Sequence, residues 1–138
     1  MDTVKLIDEL VTDEALRLKV YRDSVGVLTI GIGRNLQKGI TRAEAYYLCH
    51  NDIDDAMADL DTKVQWWRDL SEDRQRVLVN MCFNMGIDRL LGFTHMLDFL
   101  HAGEYDKAAD AMLDSLWARQ VGLRSQRLSN TMRNSATV

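Results

Sequence analysis

The first third of the chain changes its hydrophobic period from helical to alternating. Apolar residues at 4–11 recur at helical spacing, which predicts a short amphipathic helix. Residues 16–32 are rich in β-branched and apolar types around a turn signal at 23–26, and this pattern predicts a β-hairpin. Gly31 and Gly33 alternate within the second run. They would share one face of the strand, where glycine indicates the close approach of backbone or ligand.

The remainder of the chain has helical spacing almost throughout. The pair Thr41 and Glu44 forms a capping box, which predicts a long helix running to about Asp61. A second helix is predicted from Ser71 to a C-cap at Gly86, and its apolar residues on most sides favour a central, buried position. Three further helices are predicted at about 93–102, 105–116 and 124–133, before a tail at 134–138 that we expect to be frayed.

The long helix has a predicted buried side and an acidic side. Its apolar residues at helical spacing are Ala45, Leu48, Cys49, Ile53, Ala56 and Leu60. The acidic residues between them, Asp52, Asp54, Asp55 and Asp59, lack the glycine and terminal glutamate of a calcium loop. They are expected to form a solvated face.

These elements predict an α+β protein that is predominantly α-helical. A length of 138 residues suits one domain, and the absence of proline fits a helical chain. We expect a small β-hairpin lobe at about 14–40 and an inter-lobe helix at 41–61. The helical lobe would comprise residues 62–138 together with the N-terminal helix at 3–13.

Composition excludes several classes of function. A net charge of −4 and a pI near 5.3 argue against a nucleic-acid partner, which needs a concentrated basic surface. Cys49 and Cys82 lie in apolar helical patterns and are expected to be small buried residues. His50, His95 and His101 form no ligand motif, so neither a metal nor another cofactor is expected. We expect a monomer without signal peptide, membrane span or stable membrane association.

Three polar residues near the N-terminus are candidates for catalysis. Glu14 follows the first predicted helix, Asp23 lies at the hairpin turn, and Thr29 lies in the next strand. Glycosidic bond cleavage needs one carboxylic acid to protonate the leaving oxygen and a second carboxylate to orient water or attack the sugar. Spacing alone leaves both acids open to interpretation as surface charges.

The surrounding sequence resembles the catalytic segment of the phage-type lysozymes, glycoside hydrolase family 24. That family has a glutamate, an Arg-Leu-x-x-Tyr run, an aspartate, a glycine and Thr-Ile-Gly-x-Gly, as residues 14–33 do here. Similar segments continue in order through the chain, at residues 40–45, 51–54, 80–86 and 92–94, and at Trp117, Arg124 and Arg127. The resemblance implies a lysozyme-like fold with a β-lobe, a long inter-lobe helix and a helical bundle.

The resemblance also implies roles for individual residues. Glu14 corresponds to the general acid, Asp23 to the aspartate that positions the attacking water, and Thr29 to its hydroxyl partner. Arg124 corresponds to an arginine that holds the glutamate from the opposite lobe. An inverting reaction would place the two carboxyl groups roughly 6.5–9.5 Å apart. Predicted substrate-binding residues are Gly31, Arg34, Phe83, Asn84 and Phe93, although Asn84 would serve almost equally well as a helix-end cap.

Three departures from the family pattern affect the catalytic region. Ala15 replaces the glycine that usually follows the glutamate, so the local backbone is expected to differ. Arg34 stands where many members have histidine. The connection from Gly33 to Ile40 is very short, which predicts a smaller cleft wall and a less enclosed substrate.

The aromatic residues of the helical region are expected to have structural roles, whereas its basic residues leave two alternatives open. Trp66, Trp67 and Trp117 are expected to serve packing rather than sugar binding, and Met81, Met85, Met96 and Met112 to fill the core. The arginines near the C-terminus, Arg119, Arg124, Arg127 and Arg133, fit equally a solvated face or contact with wall peptides.

The sequence therefore predicts an endolysin-type muramidase that hydrolyses the β-1,4 bond between N-acetylmuramic acid and N-acetylglucosamine and causes bacterial lysis. Its expected partner is the peptidoglycan glycan strand, with a holin for release by family analogy. We expect synthesis in the cytoplasm of a host bacterium and action on the wall in the periplasm. Alternatives are a peptidoglycan-binding module without turnover, a lytic transglycosylase and a helical interaction protein.

Overall fold

The computed structural model describes residues 1–135 and confirms an α+β, predominantly helical fold. Helix α1 (Thr3–Glu14) precedes strands β1 (Arg17–Arg22), β2 (Leu28–Gly31) and β3 (Arg34–Asn35). The helices that follow are α2 (Arg42–Lys63), α3 (Glu72–Met85), α4 (Ile87–Leu91), α5 (Thr94–His101), α6 (Tyr105–Leu113), α7 (Leu116–Val121) and α8 (Leu123–Asn134). Single 3₁₀ turns lie at Leu36–Lys38 and Trp67–Asp69.

The chain divides into two compact units, an N-terminal unit, Met1–Tyr47, and a helical unit that begins at Leu48. The predicted lobe boundaries, including the grouping of the N-terminal helix with the helical lobe, stay predictions. Within the described residues, no helix combines the length and apolar character that crossing a membrane requires. Of the tail predicted to fray, residues 136–138 lie outside the described residues.

The sheet of the N-terminal unit has three antiparallel strands in the order β1-β2-β3. Thr29 pairs with Tyr21 on one side and with Asn35 on the other. The third strand was not predicted, because Gly31 and Gly33 were placed in one continuous strand. Both have positive φ angles, +70° and +68°, which reverse the chain between them and return Arg34 alongside Ile30.

Helix α2 begins at the predicted capping box. The Thr41 hydroxyl accepts from the Glu44 amide at 3.1 Å, and the Glu44 carboxylate accepts from the Thr41 amide at 3.0 Å. The predicted buried side is only partly correct. Ala56 and Leu60 are buried, whereas Ala45, Leu48 and Cys49 are exposed and Ile53 is half-buried. The hydrophobic core reaches α2 only from Ala56 onward, so the same periodicity has no packing partner earlier in the helix.

The helical unit contains the hydrophobic core, and α3 is its centre as predicted. Helix α3 is capped by the Ser71 hydroxyl and ends at Gly86. Its buried apolar residues are Val77, Leu78, Met81 and Cys82, and the core continues with residues of α2 and of α4 to α8. Helices α4 and α7 were not predicted, because five and six residues are too few to establish a 3.6-residue period.

Buried Arg74 joins the first turn of α3 to the end of α8. Its Nε donates to the Met132 carbonyl at 2.7 Å, and its guanidinium lies 3.4 Å from the centre of the Tyr105 ring. A cation at a helix C-terminus is favourable because unpaired carbonyls collect there. Arg74 therefore fixes the C-terminal helix, which carries Arg124, against the core.

The tryptophans have the packing roles that the sequence predicted. Trp67 is buried and donates its indole N–H to Asp61, while half-buried Trp66 stacks on His101 with ring centres 4.4 Å apart. Trp117 is 7% exposed and belongs to the core.

The two cysteines differ in environment. Cys82 is buried as predicted, and burial raises the pKa of its thiol. The prediction for Cys49 is wrong, since it is exposed on the part of α2 that the core does not reach.

Candidate active site

Glu14 is the last residue of α1 rather than the residue after it, and a sharp turn follows. The Ala15 amide donates to the Val11 carbonyl at 2.9 Å, which closes the helix. Ala15 has φ +63° and ψ +157°, and it is the one non-glycine residue with positive φ in residues 1–135. A side chain strains this backbone conformation. The glycine usual at this point in the family avoids that strain, so the departure at Ala15 has a structural consequence.

The Glu14 side chain lies against the backbone of Gly33. A Cβ atom built on Gly33 would be 3.0 Å from each of the Glu14 Cγ, Cδ and Oε2 atoms. The sequence predicted close approach at the glycines of this segment, and at Gly33 the approaching group is the proposed acid itself. At Gly31 a built Cβ meets nothing within 4 Å. Its positive φ is the reason for glycine there, and its contact with substrate stays a prediction.

Asp23 is held by the turn that joins β1 to β2. Its Oδ1 accepts from the Val25 amide at 3.0 Å and from the Val27 amide at 2.8 Å, and its own amide donates to the Val27 carbonyl at 2.9 Å. The carboxylate thus closes the hairpin turn with one oxygen. The hydrogen bonds described within residues 1–135 do not engage the second oxygen, Oδ2.

Thr29 is the only buried residue of the N-terminal unit, at 4% exposure. Its hydroxyl donates to the Val27 carbonyl at 2.9 Å. Because the single hydroxyl proton is used in this bond, the oxygen is left to act as an acceptor.

Val27 links Asp23 to Thr29 through its backbone. Its amide binds the Asp23 carboxylate, and its carbonyl accepts both the Asp23 amide and the Thr29 hydroxyl. Sequence reasoning missed this residue because the contribution comes from the peptide group and not from the side chain. The available signal was its position four residues after an aspartate that opens a turn.

Arg34 forms an ion pair with Glu44, with Nη1 2.6 Å from Oε2. It lines a cavity of about 430 Å³ that it shares with Gly33, Asn35 and Lys38. The hydrogen bond from the Thr41 amide, followed by that from the Thr41 side chain and the Arg34 contact, lowers the pKa of Glu44. A substrate contact by Arg34 stays a prediction, and such a contact would compete with Glu44.

The helical unit holds the remaining predicted residues, and Phe83, Arg124 and Phe93 line two of its cavities. Phe83 and Arg124 line a cavity of about 550 Å³. Arg124 is half-buried, and its Nε and Nη2 donate to the Asn80 side-chain oxygen at 2.9 and 2.7 Å. Asn80 was not assigned a role from the sequence. The predicted link from Arg124 to Glu14 would join the two units and stays a prediction.

Phe93 and Asn84 both contact Trp117. The Phe93 and Trp117 rings meet edge to face with centres 6.1 Å apart, and the Asn84 side-chain oxygen accepts from the Trp117 indole at 2.8 Å. Phe93 and Trp117 line a cavity of about 660 Å³. This arrangement gives Asn84 a side-chain partner, and its predicted alternative roles in substrate binding and capping stay predictions.

Comparison with known proteins identifies the family. The family described as Phage lysozyme matches residues 12–135. The chain belongs to the phage lysozyme family. The match contains Glu14, Asp23, Thr29 and Arg124, and the membership supports a muramidase-like function within the glycoside hydrolases. Among residues 1–135, no three histidine, cysteine, aspartate or glutamate side chains are grouped to bind a metal ion.

Three relatives agree with the family assignment. The chain is 32% identical to the pre-baseplate central spike protein of Enterobacteria phage T4, over 91% of the chain but only 27% of that protein. It is 26% identical to probable T4-type lysozyme 1 of Dictyostelium discoideum, over 88% of the chain and 89% of the relative. For probable T4-type lysozyme 2 of the same organism the identity is 25%, over 89% and 90%.

Proposed function

We propose that this protein is a muramidase that hydrolyses the β-1,4 bond between N-acetylmuramic acid and N-acetylglucosamine in peptidoglycan. In this proposal Glu14 is the general acid, and Asp23 with Thr29 positions the attacking water. The observation that carries the proposal is the Val27 peptide group, which holds Asp23 and Thr29 together in the same compact unit as Glu14. Family membership supports peptidoglycan as the substrate.

The hydrogen bonds of Thr29 and Asp23 suit the orientation of one water molecule. The Thr29 oxygen can only accept from water, because its proton is donated to Val27. The Asp23 carboxylate also accepts, and Oδ1 is already engaged by the turn, which favours Oδ2 for water. A water that donates to both groups would keep a lone pair for attack on the anomeric carbon.

The proposed reaction conserves every proton and electron pair. Glu14 in its protonated form gives its proton to the glycosidic oxygen as the bond from that oxygen to the anomeric carbon breaks. Water adds to the opposite face of the sugar, and its proton passes to Asp23. Solvent then returns both carboxyl groups to their starting forms. This sequence inverts the anomeric configuration and requires carboxyl groups roughly 6.5–9.5 Å apart.

The remaining predicted residues would bind the glycan strand. Aromatic Phe83 and Phe93 line cavities large enough for sugar rings, and Arg34 lines a separate cavity in the N-terminal unit. Asn84 would add a side-chain amide. The short connection after Gly33 predicts a site that is open on that side. We therefore expect the protein to bind the glycan strand weakly and still to cleave the bound strand.

The decisive experiment measures release of reducing ends from purified peptidoglycan. Glu14→Gln keeps the size of the side chain and removes the acid, so we expect turnover to fall by about 10²–10⁴-fold. Glu9→Gln is the matched control, since Glu9 is an exposed glutamate of the same helix. Unchanged activity in Glu14→Gln would contradict the assignment.

Product analysis by mass spectrometry separates the alternative functions. Hydrolysis leaves a free reducing end, whereas lytic transglycosylation leaves a 1,6-anhydro end because the sugar's own hydroxyl replaces water. A transglycosylase would not need the water held by Asp23 and Thr29. Binding to the wall without either product would support a module that has lost turnover.

Bacterial lysis and the route to the wall are a separate part of the proposal. We propose synthesis in the cytoplasm of a host bacterium and release to the periplasm through a membrane lesion made by a holin-type partner. The likeness to a spike protein, of which the chain covers 27%, supports an alternative in which such a segment acts within a larger assembly. Lysis of bacteria that express this protein, measured with and without a membrane-permeabilising protein, distinguishes these routes. Only release through a holin-type lesion makes lysis depend on the permeabilising protein.

A further inference from the structure

The geometry points to Gly33 as a positioning residue for the general acid. We propose that the bare backbone at Gly33 is the surface on which the Glu14 carboxyl group rests, so that a methyl group at this position displaces the acid from its working place. This inference rests on the proposed function and makes the position of the Glu14 carboxyl group depend on Gly33.

The contact involves the reactive end of Glu14 and not only its stem. A Cβ at Gly33 would lie 3.0 Å from the Cγ, Cδ and Oε2 atoms together, whereas ordinary van der Waals contact is 3.4–4 Å. Glu14 is exposed, so its side chain is able to rotate away. The displacement would therefore change the position of the carboxyl group while adding little to the loss of stability.

The backbone on both sides of this contact is fixed. Glu14 is held at the end of α1, which the bond from the Ala15 amide to the Val11 carbonyl closes. Gly33 lies in a two-residue turn between β2 and β3, where Ile30 pairs with Arg34. A backbone shift that accommodates a Cβ would have to break these bonds, so the side chain of Glu14 moves instead.

Positive φ alone does not explain the special place of Gly33. Gly26, Gly31 and Gly39 in the same unit also have positive φ, at +86°, +70° and +78°, and a Cβ built on any of them meets nothing within 4 Å. A suitable control has a positive φ, no contact with Glu14 and a place away from the Arg34 cavity, which Gly39 also lines. Gly103 meets these conditions, because its φ is +78°, a Cβ built on it meets nothing within 4 Å, and it lies in the exposed connection between α5 and α6.

The test compares Gly33→Ala with Gly103→Ala and the unaltered protein. Both variants should lose similar stability in urea unfolding, because alanine is strained at either φ. Only Gly33→Ala should lose kcat, on the order of 10²-fold, since a displacement of about 1 Å is enough to disrupt catalysis. KM should change much less, and the alkaline limb of the pH profile of kcat, which reports deprotonation of the general acid, should move in Gly33→Ala alone.

A second measurement does not depend on turnover. The ¹³C resonance of the labelled Glu14 carboxyl group should shift in Gly33→Ala and stay in place in Gly103→Ala. If Gly33→Ala does not fold, Gly33→Asn and Gly103→Asn replace the pair, because asparagine tolerates positive φ better and still carries a Cβ.

The outcomes separate this inference from the proposed function. Activity in the unaltered protein with equal kcat and equal carboxyl resonances in the two variants would overturn the role of Gly33. No activity in the unaltered protein, with a Glu14 resonance that moves only in the Gly33 variant, would overturn the muramidase and leave the contact established.

Discussion

The two compact units of this protein hold their residues in place by different means. Up to residue 135, the helical unit has a core of 19 buried apolar residues, centred on α3. In the N-terminal unit Thr29 alone is buried, and many apolar side chains, such as Leu18 at 83% exposure, face solvent. The proposed catalytic residues all belong to the unit without a core.

This difference shows that a hydrophobic core supplies stability, whereas hydrogen-bonded turns keep polar groups available for chemistry. Burial of apolar surface gives stability in proportion to area, but a buried polar group without a partner is costly. The N-terminal unit instead fixes Asp23 and Thr29 with hydrogen bonds to the Val27 peptide and leaves acceptor oxygens available. Stability therefore depends mainly on the helical unit, whereas chemistry depends on turns and backbone angles.

The largest effect is expected when the Asp23 charge is removed without disturbing the turn. Asp23→Asn keeps an oxygen for the Val25 and Val27 amides but weakens the proposed base, so activity should fall by about 10²–10⁴-fold. Urea unfolding should show little change in stability. If the variant keeps full activity with a 1,6-anhydro product, Asp23 has only a structural role.

A leucine-to-alanine change in each unit tests where stability resides. Leu78→Ala removes a side chain of 0% exposure from the centre of the core and should reduce the free energy of unfolding by about 2–5 kcal/mol. Leu18→Ala in β1 should change it by about 0.5 kcal/mol or less. Chemical denaturation measures both, and equal losses would refute the contrast between the units.

An alanine-to-glycine change should have opposite signs in the two units. Ala15→Gly relieves strain of about 1–3 kcal/mol, and this gain exceeds the entropy that glycine adds to the unfolded chain, about 0.5–1 kcal/mol. Net stabilisation of about 1 kcal/mol is expected. Ala58→Gly, on the exposed side of α2, should destabilise the protein by about 1 kcal/mol. Destabilisation by both changes would show that the Ala15 backbone is unstrained.

The smallest expected effect is the pH dependence of two exposed carboxylates. The Thr41 amide lowers the pKa of Glu44 in the N-terminal unit, and Arg68 lowers that of Asp61 in the helical unit. A carboxylate with a lowered folded pKa stabilises the protein above its unfolded pKa, and this contribution is lost as pH falls through the folded pKa.

Melting temperatures measured between about pH 5 and pH 3 test this prediction. The unaltered protein should lose stability more steeply than Glu44→Gln or Asp61→Asn. A variant whose slope equals that of the unaltered protein would show that its carboxylate does not contribute.

Much of the fold was predictable because its signals are local. The Thr41 capping box, the Asp23 turn and the Gly86 end of α3 each depend on residues within four positions of one another. The apolar period of α3 correctly identified its central position. The short helices α4 and α7 and the strand β3 gave too few residues for a period.

The sequence predicted the polar side chains of the candidate site but not the backbone groups that hold them in place. The family pattern indicated Glu14, Asp23 and Thr29, whose roles stay predictions. The Val27 peptide and the bare backbone of Gly33 have no side-chain signature, so only the tertiary structure reveals how they hold these groups.

The sequence by itself determined where the longer helices begin, that the chain turns at Asp23 and which polar groups are available for chemistry, because these properties depend on neighbouring residues. Tertiary structure decided which side chains are covered. Cys49 and Ala56 lie on one predicted face of α2, yet only Ala56 meets the core. Tertiary structure also decided that Glu14 meets Gly33, 19 positions later, because a contact between distant residues depends on the path of the chain between them.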